Sequence, residues 1–268
     1  MRGKKFRLRH LLLLLAALLL LSAPFPLSQQ LEVCSYEIRS PKLKSEITLA
    51  VAGDLHNSFF GEGQLELVQA IRDAAPDSLL LPGDMPDSLD ELDGLRALLK
   101  GLDGALPVFY VTGNHECASG DYDRIKAEIR AMGATVLEGE SVDFMGMRIA
   151  GADDPQCLYR QEWRDQIDAC RARDDTFTLL LSHRPERIEY CTSGFDLVVS
   201  GHAHGGQLRI PGLLPGIFAP NQGWFPEYTG GLYSVGDARL FVTRGLAKGA
   251  LPRLFNRPEL AILRLQPE

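Results

Sequence analysis

Apolar residues in this chain come in short runs, and five of those runs end in a cluster of glycine, serine and polar side chains. Residues 47–52 lead into Gly53-Asp54-Leu55-His56, residues 79–81 into Gly83-Asp84, and residues 108–112 into Gly113-Asn114-His115-Glu116. Residues 177–181 lead into Ser182-His183, and the largely apolar run 195–199 into Gly201-His202-Ala203-His204. Runs of this length, stopped by Gly, Pro or polar residues, read as buried strands. Between them, Leu65, Val68, Ile71 and Ala75 recur at helical spacing, and Pro76 ends the helix. Leu89, Leu92, Leu95, Leu98 and Leu99 mark an amphipathic helix over 88–100 with Ser88 as its N-cap, and 122–132 is another, capped by Gly133. Strands alternating with helices predict a parallel sheet with crossover connections. From residue 135 the pattern changes: 135–137, 141–144, 147–150, 231–234, 239–243 and 260–265 are short and turn-bounded, with one helix over 159–171. The expected fold class is therefore α/β, two mixed β-sheets packed face to face with flanking helices, in one domain over 45–268. Residues 31–44 read as a polar tether leading into it.

The first 30 residues read differently. Arg2, Lys4, Lys5, Arg7 and Arg9 precede eleven residues of Leu and Ala at 11–21, followed by Ser22-Ala23-Pro24. A basic flank ahead of an apolar run is the pattern of an export leader. Leu21 and Pro24 spoil the cut after Ala23, which favours an uncleaved signal-anchor over a cleaved signal peptide. Either form leaves the basic N-terminus in the cytoplasm and places the body outside the cytoplasmic membrane. The leader also conceals the charge of the body: the net −7 of the chain becomes −12 beyond residue 31, with 23 basic against 35 acidic residues. An acidic body of this kind disfavours nucleic acid as substrate or partner. The five cysteines contain no C-x-x-C pair, so they allow one or two disulfides in an exported body without fixing which.

In open α/β sheets the ligand site lies beyond the carboxyl ends of the strands. Asp54, His56, Asp84, Asn114, His183, His202 and His204 are therefore expected to meet at one metal site. Imidazole, carboxylate and amide donors together suit Mn, Fe or Zn. Seven side chains exceed the needs of one four-coordinate ion and fit two divalent ions sharing a carboxylate. Such pairs lie about 3.5–4 Å apart, supply a hydroxide nucleophile near neutral pH and clamp both oxygens of an in-line phosphoryl displacement.

These blocks resemble, in order, the motifs of the calcineurin-like metallophosphoesterases, in particular the bacterial membrane-anchored or exported branch. Members of that branch share the Gly205-Gly206-Gln207 that follows the last histidine and the Arg244-Gly245 pair near the end. The resemblance implies the four-layer α/β/β/α fold and hydrolysis of a phosphomonoester, phosphodiester or pyrophosphate. It also implies that Asp54, His56 and His204 hold one ion, that Asn114, His183 and His202 hold the other, and that Asp84 bridges them. His115 would stabilise the phosphorane-like charge or protonate the leaving oxygen, with Asp87 in support and Glu116 orienting a ligand histidine. A non-catalytic surface module on this fold is the alternative from another class; it predicts degraded ligand positions, and none is degraded. The apolar segment 211–226, with Leu213, Leu214, Ile217, Phe218, Trp224 and Phe225, raises a further expectation of a lipid-linked substrate.

Overall fold

The computed structural model describes residues 10, 29–172, 174–210, 212–248 and 253–268. Strands β1 (Glu32–Arg39) and β2 (Ile47–Val51) are followed by helix α1 (Leu65–Ala74), β3 (Ser78–Pro82), α2 (Asp93–Leu102) and β4 (Val108–Val111). Next come the short α3 (Asn114–Ala118), α4 (Tyr122–Ala131), β5 (Thr135–Val136), β6 (Glu140–Phe144), β7 (Met147–Gly151), α5 (Arg160–Cys170) and β8 (Thr178–Leu181). The chain finishes with β9 (Leu197–Ser200), the small hairpin β10 (Phe218–Ala219) and β11 (Gly223–Trp224), β12 (Gly231–Val235), β13 (Ala238–Val242) and β14 (Glu259–Gln266).

Among the described residues these strands make two six-stranded mixed sheets, ordered β1-β14-β2-β3-β4-β5 and β12-β13-β9-β8-β7-β6. Side chains alternate across each strand, so one buried run serves two interfaces. Leu49, Val51, Leu179, Leu181, Leu197 and Val199 fill the space between the sheets. Ala50, Leu79 and Leu81 face the other way, onto Leu67, Val68 and Ile71 of α1 and Leu95 and Leu98 of α2. Leu180 and Val198 turn outward onto Trp163 and Ile167 of α5. This is the four-layer α/β/β/α arrangement the motifs implied. Strands β2, β3, β4 and β5 run parallel, as do β7, β8, β9 and β13, so all five polar clusters emerge at one end of the sandwich.

Three local expectations are corrected. Residues 31–44 are not a tether: β1 pairs with β14 in continuous parallel register from Glu32↔Glu259 to Arg39↔Gln266, so this segment is part of the sheet. Ser88 caps no long helix; Leu89–Glu91 is a separate 3₁₀ turn, and α2 starts after Leu92 without a side-chain cap. Leu65 is 65% exposed, and Leu67 takes its place on the inward face of α1. The leader lies outside the described residues apart from His10, Gln29 and Gln30. Among the described residues no helix is long and apolar enough to cross a membrane. One disulfide, Cys117–Cys157, ties α3 to the loop after β7, while Cys34, Cys170 and Cys191 are free thiols.

Candidate metal centre

Three of the five clusters, those after β2, β3 and β9, leave their strands through turns that force residues into strained backbone. Asp54, His56, Asp84, His202 and His204 all have positive φ, between 45° and 67°. For non-glycine residues this costs of order 1 kcal/mol or more each and persists only where the surroundings enforce it. The strain bends the side chains back over the strand ends, and the neighbouring backbone must come very close. A Cβ on Gly113 would sit 2.1 Å from Asp84 Oδ1, and one on Gly245 would sit 2.6 Å from Asp54 Oδ2. Only glycine fits at these two positions.

The result is two sets of donors joined by one carboxylate. Asp54, His56 and His204 offer ligand atoms within 4.8 Å of one another, and so do Asp84, His183 and His202. Asn114 completes the second set, its Oδ1 3.1 Å from His183 Nε2. Asp84 lies between the sets: its Oδ2 is 3.1 Å from His183 Nε2 and 3.8 Å from His56 Nε2. All seven ligand candidates are thus brought together. His115 joins the rim rather than the floor, 45% exposed at its side chain, with Nδ1 2.8 Å from Asp87 Oδ1. Asp87 also meets His56 Nδ1 at 2.5 Å, so one carboxylate orients two imidazoles.

Three donor atoms of the cluster lack a partner: Asp54 Oδ2, His56 Nε2 and Asp84 Oδ2 are buried without a hydrogen bond among the described residues. His183 Nδ1 faces the Pro82 carbonyl at 2.8 Å and is placed to donate to it, which leaves Nε2 facing two oxygens, Asn114 Oδ1 and Asp84 Oδ2. A neutral imidazole in that orientation presents a lone pair to two acceptors, an arrangement that calls for a cation. The donor chemistry and the orphaned atoms fit two divalent ions.

The electrostatics of the cluster agree. Burial pushes the Asp54 carboxyl up, with the nearby Asp84 adding to it. Burial opposes protonation of His56 and His183, yet the Asp87 hydrogen bond with Asp84 and Asp54 lifts the first to about 9, and Asp84 with Asp54 lifts the second to about 10. Burial and the His183 charge hold His202 down at about 3, and burial with the His56 charge keeps His204 low. Two imidazoles therefore hold protons near neutrality when no metal is bound, and coordination must expel them. Titrating metal-stripped protein with Mn in weak buffer at neutral pH is expected to release about two protons per chain. The release should fade, and affinity rise, as pH climbs past the His56 and His183 values. Metal uptake with no proton release would contradict this arrangement.

Glu116 has a different role from the one expected. It accepts from the backbone N–H groups of Asp84 (3.1 Å), Met85 (2.9 Å) and Gly113 (3.0 Å) and from the Tyr110 hydroxyl (2.9 Å). It therefore orients the Asp84 turn and no histidine. Three contributors were missed. Asn221 Oδ1 lies 2.8 Å from His202 Nε2 and accepts from Arg184 Nη1, while Arg184 makes a two-pronged pair with Asp154 at 2.7 and 2.9 Å. The signal for the pair was present: β7 is a sixth apolar run, ending in Gly151-Ala152-Asp153-Asp154, and Arg184 directly follows a ligand histidine. Asn221 sits in a loop without periodicity, and no pattern marked it.

An α/β/β/α sandwich with His, Asp and Asn donors gathered at one end is the frame of a dinuclear metal hydrolase. The model of the calcineurin-like phosphoesterase family matches residues 47–206. Over 248 residues the chain is 32% identical to an uncharacterised metallophosphoesterase of Aquifex aeolicus, covering 88% of this chain and 92% of that one. It is 30% identical over 236 residues to an uncharacterised metallophosphoesterase of Helicobacter pylori, covering 85% of this chain but 62% of the length of that relative. Among solved structures, the TT1561 protein of Thermus thermophilus superposes with a TM-score of 0.50 at 14% identity, covering 76% of this chain and 91% of that one. The chain belongs to the calcineurin-like phosphoesterase family, and its catalytic domain is that of a metal-dependent phosphoesterase.

Proposed function

We propose that this protein hydrolyses a phosphomonoester, phosphodiester or pyrophosphate at a dinuclear centre on the outer face of the cytoplasmic membrane. The observation that carries the reading is the convergence of the orphaned Asp54, His56 and Asp84 atoms with the Asn114–His183 pair. Asp54, His56 and His204 would hold one divalent ion, Asn114, His183 and His202 the other, and Asp84 would serve both; Mn, Fe and Zn all suit these donors. When bound, such a pair supplies the positive charge that activates a water and stabilises the phosphoryl oxygens. The remaining steps belong to the protein. Asp87 fixes His115 by Nδ1 and, ahead of opposing burial, raises its proton affinity, so that Nε2 keeps a proton to give to the leaving oxygen. Glu116 and the N–H of His115, which donates to Asp84 Oδ1 at 2.9 Å, keep the bridging carboxylate aligned.

The basic, leucine-rich leader supports the location, as does the Cys117–Cys157 disulfide, since such bonds persist in oxidising compartments. The acidic body argues against nucleic acid. A second reading, a lipid-linked ester, is favoured by the β10–β11 hairpin and the turn before it: Trp224 and Phe225 at the hairpin's end are each 71% exposed and Leu213 of the turn 78%, while Asn221 of the hairpin contacts His202. The test is an ester panel on metal-loaded protein, with flotation of residues 29–268 on vesicles. Hydrolysis of an aryl phosphate that stops on metal removal is expected, with flotation weakened by Trp224→Ser. Inactivity of loaded protein on monoesters, diesters and pyrophosphates would refute the hydrolase, and absence of flotation would refute the lipid reading alone.

A further inference from the structure

A second cavity lies at the metal-bearing end of the sandwich, on the edge where β1 and β12 face each other. It encloses about 510 Å³ and is lined by Glu32, Cys34, Tyr36, Arg209, Arg244 and Arg257, among others. This volume falls within the range of small-molecule sites. Arg244 is ion-paired, its Nη2 2.7 Å from Glu32 Oε2 and 3.1 Å from Glu259 Oε1. Arg257 donates to Gln30 Oε1 at 2.9 Å. No carboxylate pairs with the Arg209 guanidinium among the described residues, and its strongest electrostatic neighbour is the like charge of Arg244. Burial first, and Arg244 second, push the Arg209 pKa down. Arg209 is thus left without a carboxylate of its own, beside the ion-paired Arg244.

Gly230 keeps the space open. A Cβ there would lie 2.7 Å from Arg244 Cγ and 3.3 Å from Arg209 Nη1, so any side chain would crowd both arginines. The cavity is also tied to the chemistry at one remove: Arg244 precedes Gly245, whose backbone packs on Asp54. A half-buried, unmatched guanidinium beside a second one suits an oxyanion with several acceptor oxygens, since the arginine fork binds phosphate through paired N–H groups.

We propose that this cavity is an anion site for a phosphoryl group, separate from the metal centre, filled by inorganic phosphate or by the phosphate of a lipid headgroup. Cys34 reports on it, because its Sγ lies 3.1 Å from Arg244 Nη2 in the cavity wall while Cys170 and Cys191 are buried. The experiment follows Cys34 labelling by a small methanethiosulfonate on the full, Mn-loaded chain in detergent, read by mass spectrometry. Inorganic phosphate at about ten times its dissociation constant should slow labelling about tenfold. Arg209→Gln should abolish the protection, Arg209→Lys should keep part of it, and His202→Ala should leave it intact. The same rate is then measured without soluble phosphate on chain reconstituted in phosphatidylglycerol or phosphatidylcholine vesicles. Protection by soluble phosphate supports a free anion, and protection in either vesicle that Arg209→Gln abolishes supports a headgroup phosphate. Labelling that neither slows, or protection equal in Arg209→Gln and wild type, overturns the proposal.

Discussion

Asp84→Asn is expected to lower kcat/KM by about 10³-fold while leaving the metal-free protein folded. The exchange is isosteric, and asparagine tolerates the left-handed backbone that Asp84 adopts at φ 52°. What is lost is the one charge shared by both donor sets. Asp84 is held well below the usual carboxylate range: burial opposes this, but His183 and His56 outweigh it, so the group is a carboxylate ready to span two cations. An amide in its place presents a neutral oxygen on one side and an N–H on the other. Metal content should fall from two ions per chain to one or fewer, in step with activity. Thermal stability without metal should fall at neutral pH, because the protonated His183 and His56 lose the buried carboxylate they pair with, a loss only partly offset by removing a like charge beside Asp54. Full activity in this variant would remove Asp84 from the bridging position.

His115→Ala is expected to cost about 10²–10⁴ in kcat with both ions retained. His115 stands at the open rim, and its imidazole touches Asp87 and lies edge-on to His56, 4.5 Å between ring centroids. A proton donor matters most when the leaving oxygen is basic. The loss should be small for a nitrophenyl ester and near its full size for an alkyl ester. Equal losses across leaving groups would instead assign His115 to charge stabilisation on the phosphoryl oxygens.

The parts of this architecture that could be read from the chain share one property: they are local. A short apolar run that stops at glycine is both a buried strand and the platform for the residue after it, so the end of each run pointed to Asp54, Asp84, Asn114, His183 and His202. What escaped depends on partners far along the chain. Strand β1 has inward Cys34, Tyr36 and Ile38 at a spacing of two, but it is a half-polar edge strand whose pairing partner lies more than two hundred residues away, at β14. Ser88 has the chemistry of a cap, yet its hydroxyl turns toward Glu91 in a 3₁₀ turn, and the helix begins later. The role of Glu116 was set by which buried N–H groups lacked a partner, and sequence spacing does not encode that. Asn221 is beside His202 only because the β10–β11 hairpin folds back over the strand ends.

The most direct measurement is an anomalous-scattering map of crystals grown from Mn-loaded protein. Two peaks about 3.5–4 Å apart are expected. Asp84 should lie between them, with Asp54, His56 and His204 around one and Asn114, His183 and His202 around the other. A single peak, or peaks bound by other residues, would contradict the dinuclear centre.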